Sequence, residues 1–346
     1  MIYVNGLQDE DLEKIAKERN SVSDYPFLGP IENDLAVLEG ILSQEIDSPA
    51  ELICRAATYV LKSRGKRIRP ALLLLSARIC GYEDGSRHVK LASIGEYLHV
   101  ATLVHDDIID NSEMRRGRAS ANSLWGNSLS VLVGDYLYSR SVKYLVEDED
   151  LEVMRAFADA TLRMVEGEVL QQEMSGKADI SPDTYMSMVT RKTASLFSAC
   201  CRVGAIISGA PPDRMDALGF FGLDLGIAFQ IMDDALDFVG DEKRLGKPAG
   251  KDLREGRITF PLIYILGRGS EADREIVRRF FAKPEKEEFQ VAEVLSLVEK
   301  YRAVQWARGV ASDYVEKAKG HLTLFPGSEA KQSLLGLADY TLARDW

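Results

Sequence analysis

Two short acidic patterns in the chain share one spacing: Asp106-Asp107-Ile108-Ile109-Asp110 and Asp233-Asp234-Ala235-Leu236-Asp237. Each residue of an α-helix turns by about 100°, so positions i, i+1 and i+4 fall within an arc of about 100° and the three carboxylates share a face. In water such a cluster is an ordinary solvated charge run. The flanks, Leu103-Val104-His105 and Ile231-Met232, place each cluster instead at the end of an apolar stretch, where unpaired carboxylates are expensive. A divalent cation removes that conflict. Mg²⁺ takes hard oxygen ligands, keeps several waters, and is usually bound through one or two carboxylates plus substrate phosphates, so two such clusters can gather several ions around one diphosphate.

Phosphate also calls for cationic side chains, and two compact basic groups stand out in an acidic chain: Gly65-Lys66-Arg67-Ile68-Arg69-Pro70 and Arg115-Arg116-Gly117. Taken singly, the first reads equally well as a basic helix cap and the second as a charged loop. Together they describe an anion site beside a metal site, with Arg forks suited to phosphate oxygens and Lys acting as a point charge.

These motifs, with Lys192-Thr193, Gln230 and the segment from Gly246 to Pro261, resemble the trans-isoprenyl diphosphate synthases, specifically the long-chain, octaprenyl-like group. The resemblance runs from Asn33 to the C-terminus. It implies an all-α, single-domain helical bundle around a central cavity, working as a homodimer. It implies that three Mg²⁺ ions on an allylic diphosphate are held by Asp106, Asp107, Asp110, Asp233, Asp234 and Asp237. Arg115, Lys192, Lys247 and Arg257 complete that shell, and Arg257 stands where the family usually has lysine. Isopentenyl diphosphate falls to Gly65, Lys66, Arg69, His99 and Arg116, while Thr193 and Gln230 turn oxygens toward the developing allylic cation. Without the resemblance, His99 reads as a satisfied core histidine. Glu168, Gln171 and Gln172 match a polar stretch of the family with no assigned role.

Product length should follow from the residues one and two helical turns before Asp106, which wall the tunnel for the growing chain. Ala101 and Thr102 are small where short-chain relatives carry aromatic rings. Tyr97 and Leu98 come next, with Tyr97 on nearly the same face as Ala101, and the stop is expected deeper, near Tyr138. A product longer than C20 follows. The competing readings are a short-chain farnesyl or geranylgeranyl diphosphate synthase, a class I terpene cyclase and a non-catalytic partner subunit. A cyclase usually replaces the second acidic set with Asn, Ser and Glu and lacks the second basic site. A non-catalytic subunit typically loses acidic residues, and here all six are present.

The elements that must position these side chains are long helices. Apolar residues at spacings of three, four and seven predict one buried helix over Ser86–Ser112, a second over Asp213–Val239 and a third from Leu151 to about Ser175. Strand-like alternation is scarce. Pro70 and Ser181-Pro182-Asp183 mark helix starts. Residues 1–32, with a charged helix over Asp9–Arg19, read as an extension on a domain spanning 33–346, and Gly240–Gly256 reads as a lid.

Over 346 residues, 46% hydrophobic and 28% charged content is globular usage, which excludes a disordered chain. A net charge of -11 argues against nucleic acid as partner. Cys54, Cys80, Cys200 and Cys201 have neither CxxC spacing nor disulfide-scaffold density, so they read as reduced thiols in a cytoplasmic protein. No apolar run reaches the 18 or more residues of a membrane span.

Overall fold

The computed structural model describes residues 25–44, 46, 48–62, 65–83, 85–239, 250–283 and 287–344. The helix read over Asp9–Arg19, most of the lid segment and Lys247 lie outside them. The chain divides into two compact units. One takes residues up to Phe157 with Cys200–Pro211 and Gly327–Leu334, and the other takes Ala158–Ala199, Pro212–Pro326 and Leu335 onward.

The first unit carries α1 (Glu32–Gln44), α2 (Glu51–Leu61), α3 (Ile68–Ile79), α4 (Arg87–Ile109) and α5 (Ala121–Asp148). Pro70 lies in the first turn of α3, where its missing N–H leaves no bond unmade. Leu72 to Leu75 are all fully buried, so α3 is apolar on every side, as a core helix must be. The long buried helix expected over Ser86–Ser112 is α4, which packs along α5, α3 and α1. Its contact with α5 is close at Gly134, whose missing side chain leaves room for the ring of His105. The sole strands among the described residues are a two-residue antiparallel pair, β1 (Met114–Arg115) and β2 (Arg118–Ala119).

In the second unit, α6 (Leu151–Met174), which begins in the first, leads to α7 (Pro182–Val189) and a π-helical turn over Thr190–Ala194. Ser181 Oγ accepts the Thr184 N–H at 3.1 Å with Pro182 behind it, the helix start expected from the sequence. After α8 (Ser195–Ile207), α9 (Pro212–Leu236) packs on α14 (Ala303–His321) and on the π-turn. Between them come α10 (Lys251–Arg254), α11 (Phe260–Arg268), α12 (Glu271–Ala282) and α13 (Glu288–Lys300), and α15 (Glu329–Ala343) closes the chain. By length and composition α9 could cross a membrane, but 67% of its most apolar window is buried, which fits a core helix.

Candidate active site

The basic groups of the first unit converge on one place. A Cβ at Gly65 would lie 2.9 Å from Arg116 Nη1, 3.5 Å from Arg67 Nη1 and 3.7 Å from Glu96 Oε1, so only glycine lets the backbone approach the guanidinium groups this closely. Arg67 and Arg116 both take left-handed backbone, with φ of 48° and 50°. Arg116-Gly117 forms the turn of the β1–β2 pair, with positive φ at both positions as tight hairpins require. Arg67 donates to Glu96 at 2.5 Å, to Glu39 at 2.7 Å and to the Leu61 carbonyl at 2.8 Å. Burial works against its charge, and Glu96 and Glu39 more than offset that, raising its pKa.

Arg116 is pulled down to about 10, chiefly by burial, with Glu96 opposing and Arg115, Arg67 and Arg69 adding to the fall. It remains charged at neutral pH. His99 is held well below its ordinary value by burial and by Arg69, Arg116, Arg115 and Arg67, so its ring is neutral and can offer one N–H and one lone pair. Several guanidinium groups around a neutral ring, with Glu96 as the buried counter-charge, make a strong local anion site in an acidic protein.

Two turns further along α4 stand the first three aspartates. Asp107 is buried, and its Oδ1 accepts Arg115 Nε at 2.7 Å, while Asp106 and Asp110 are half-buried. All three occupy the C-terminal end of α4, where the helix itself carries partial negative charge, so helix and carboxylates attract a cation together. The donor set therefore fits a hard divalent metal. Among the described residues, no three His, Cys, Asp or Glu side chains converge on one point.

In the second unit the acidic set sits at the C-terminal end of α9, and its three members have different surroundings. Asp233 is exposed, and its Oδ1 pairs with Arg344 at 2.6 Å. Arg344 also donates to the Phe229 carbonyl at 2.5 Å and lies 3.8 Å over the Phe229 ring. Asp234 is buried and accepts Tyr185 Oη at 2.5 Å, Gln230 Nε2 at 2.9 Å and the Phe260 N–H at 3.0 Å. Burial and Asp252 push its pKa up to about 7 against those three donors. Asp237 accepts the Lys251 and Asp252 N–H groups at 3.1 Å each, and burial and Asp252 push it up to about 6. All three thus meet protein donors, Asp234 in the core, Asp237 half-buried and Asp233 at the surface.

Beside them, Lys192 is ion-paired with Glu168, and Thr193 Oγ1 donates to Gln230 Oε1 at 2.8 Å. Burial raises the Glu168 carboxyl, but Lys192 and Gln172 hold it below its usual value. Arg257 pairs with Asp252 at 2.9 Å and with Glu255. A cavity is lined by Gln171, Tyr185, Met188, Gln230, Asp234 and Arg257. Lys192 and Thr193 lie in the π-turn, whose backbone is approached from both sides. A Cβ on Gly167 of α6 would collide with the Lys192 backbone, and one on Gly226 of α9 would lie 2.6 Å from Ala194 Cα.

Of the residues expected to set product length, Ala101 and Leu98 are buried and Thr102 is half-buried. Tyr97 is fully buried, its hydroxyl 3.5 Å from the Ile41 carbonyl and its ring 6.0 Å from that of Tyr144. Tyr138 is 46% exposed on α5. Sequence reasoning passed over Glu39, Glu96, Tyr185, Gly167, Gly226 and Arg344, and named Arg67 only as part of the basic group. The left-handed backbone of Arg67 and the α6 and α9 glycines carry no distinguishing sequence signal, and the others act through partners remote in sequence.

An arginine-lined anion site and a metal-fitting acidic helix end on one buried helix define a class of enzyme that handles diphosphates with a divalent cation. A family model described as polyprenyl synthetase matches residues 50–298. Octaprenyl diphosphate synthase of Escherichia coli is 36% identical over 312 residues, 90% of this chain and 96% of that one. A short chain isoprenyl diphosphate synthase of Methanothermobacter thermautotrophicus is 37% identical over 303 residues, 86% of this chain and 92% of that one. Among solved structures, the polyprenyl synthase of Caulobacter crescentus, complexed with calcium and isoprenyl diphosphate, superposes with a TM-score of 0.89 at 35% identity, covering 95% of this chain and 100% of that one. The chain belongs to the polyprenyl synthetase family and is a trans-prenyltransferase of the isoprenyl diphosphate synthase type.

Proposed function

We propose that the protein extends an allylic diphosphate with isopentenyl diphosphate to an all-trans polyprenyl diphosphate longer than C20. The observation that carries this reading is the layout of α4. His99 and Asp106 are seven residues apart on one straight helix, so the arginine-lined site and the acidic site are separated by about 10 Å along its axis. That spacing suits two diphosphates in one reaction.

In this reading Gly65, Lys66, Arg69, His99 and Arg116 hold isopentenyl diphosphate. Arg115, Lys192, Lys247 and Arg257 hold the allylic diphosphate. Asp106, Asp107, Asp110, Asp233, Asp234 and Asp237 would hold Mg²⁺, three ions in a complete site. When bound, the metal stabilises negative charge on the departing diphosphate. The allylic C–O bond breaks with its electron pair leaving on that diphosphate, and the cationic side chains favour this state over the ground state. Thr193 and Gln230 turn oxygens to the electron-poor carbon. The double bond of the isopentenyl group then forms the new C–C bond, and the proton shed from it passes to the released diphosphate. No protein nucleophile is needed.

Small side chains at Ala101 and Thr102 support a long product. The exposed apolar stripe of Val131, Tyr138, Val142 and Val146 on α5 supports a homodimer, and four free thiols support a cytoplasmic setting. Purified protein should be incubated with Mg²⁺, labelled isopentenyl diphosphate and geranyl, farnesyl or geranylgeranyl diphosphate, and the products sized. Chains beyond C20 are expected, and a product that stops at C20 or below refutes the length assignment. Asp106→Ala should lose several orders of magnitude in turnover with a near-native melting temperature, and normal turnover in that variant refutes the mechanism.

A further inference from the structure

We propose that Tyr185 is a positioning residue for Thr193, acting through Asp234 and Gln230, because the four side chains form one continuous hydrogen-bonded chain in which Asp234 accepts from both sides. The inference rests on the reading that Thr193 faces the allylic cation.

The arrangement follows from which groups can donate. Asp234 receives Tyr185 Oη at 2.5 Å and the Phe260 N–H at 3.0 Å on Oδ2, and Gln230 Nε2 at 2.9 Å on Oδ1. Gln230 therefore turns its NH₂ toward Asp234. The far end of the amide is then Oε1, which also accepts only. The one hydroxyl proton of Thr193 is committed to it, at 2.8 Å. What Thr193 has left to offer is its lone pairs. An electron-poor carbon calls for that orientation; with the amide reversed, Thr193 would accept from Gln230 and aim its proton elsewhere.

Geometry explains why Tyr185 is the anchor. Gln230 and Asp234 are one turn apart on α9, while Tyr185 and Thr193 lie eight residues apart along α7 and the π-turn. The pair on α9 therefore clips that segment at both ends. The ring of Tyr185 is fully buried and stacked on Phe260 at 5.2 Å; Phe260 stacks on Trp306 at 4.7 Å, and Trp306 on Tyr264 at 4.4 Å. Ring packing aims the hydroxyl, so Tyr185→Phe removes one oxygen and leaves the stack in place.

The test is a cycle of Tyr185→Phe, Thr193→Val and the double variant, read by single-turnover rate with farnesyl and isopentenyl diphosphates, by KM, and by melting temperature. Tyr185→Phe is expected to slow the single turnover by about 10- to 100-fold, as small misplacements of reacting groups do, with KM for isopentenyl diphosphate within about twofold. In the Thr193→Val background the same change should cost no more than about twofold, because coupled residues lose their effects together. Equal losses in the two backgrounds, or a negligible loss in the otherwise native chain, overturn the positioning role. If Thr193→Val alone keeps the native rate, the reading of Thr193 fails instead, and the chain is judged on melting temperature. Non-additive shifts there uphold it, and additive shifts overturn it.

Discussion

Two arginines of the basic cluster, Arg67 and Arg116, stand in backbone conformations that most residues avoid. The left-handed φ of Arg67 and Arg116 costs on the order of 1–3 kcal/mol at each position, sustained by the bonds around it. For Arg67 those bonds run to Glu39, Glu96 and Leu61, so its charge is spent on structure. Its neighbours Lys66 and Arg69 are the ones proposed to bind isopentenyl diphosphate. Removing either charge should raise KM for isopentenyl diphosphate by about 10- to 100-fold, the worth of one or two charge-assisted hydrogen bonds, and barely move KM for the primer. Arg115, locked to Asp107 in the acidic cluster, should show the reverse bias. Steady-state kinetics with each substrate varied in turn decides the matter, and equal effects on both would argue against two separate sites. The candidate site residues could be picked out in the sequence because their chemistry lies in residue type and short-range spacing. Glu96 and Tyr185 were not, since their roles arise from partners 29 and 49 residues away.

At the scale of the element, the helices expected over Ser86–Ser112, Asp213–Val239 and Leu151–Ser175 are Arg87–Ile109, Pro212–Leu236 and Leu151–Met174. Apolar periodicity reports which segments a core will bury, and the two acidic runs fall at the C-terminal ends of two of them. The π-turn at Thr190–Ala194 left no such mark. It depends on Gly167 and Gly226 admitting their helices against it, and a glycine inside a helix looks the same in sequence whether or not something packs there. Distinguishing Asp233 from Asp234 and Asp237 likewise required knowing which oxygens meet Tyr185, Gln230 and the start of α10. In the proposed reading, the element that governs product length is α4. Ala101 is buried about one turn before Asp106, and a ring there is expected to narrow the path of the growing chain. Ala101→Phe should shift the main product to a much shorter chain while primer turnover persists. Overpacking of a buried site should cost about 1–3 kcal/mol, which lowers the melting temperature without unfolding the protein. An unchanged product distribution in the variant would remove Ala101 from the tunnel wall.

For the whole molecule, the feature that composition could not reveal is the apolar face of α5. Val131, Tyr138, Val142 and Val146 recur at spacings of seven, four and four, on a helix whose opposite face buries Val133, Leu137, Tyr144 and Leu145. Hydrophobic residues therefore appear on both faces, which in the sequence reads only as a strongly apolar helix. Among the described residues nothing covers the outer stripe. A monomer with net charge -11 gains nothing by exposing it, whereas two copies related by a twofold axis can each cover the other's stripe. Placing a carboxylate in the centre of that contact tests it, because twofold symmetry buries the charge twice and each unpaired charge is costly to desolvate. Val142→Asp should therefore convert the dimer to a monomer in light scattering at working concentration. Its circular dichroism should stay native, since residue 142 lies outside the core of its own chain. The same substitution on a protein that is already a monomer would leave the mass unchanged, and that result would remove α5 as the interface.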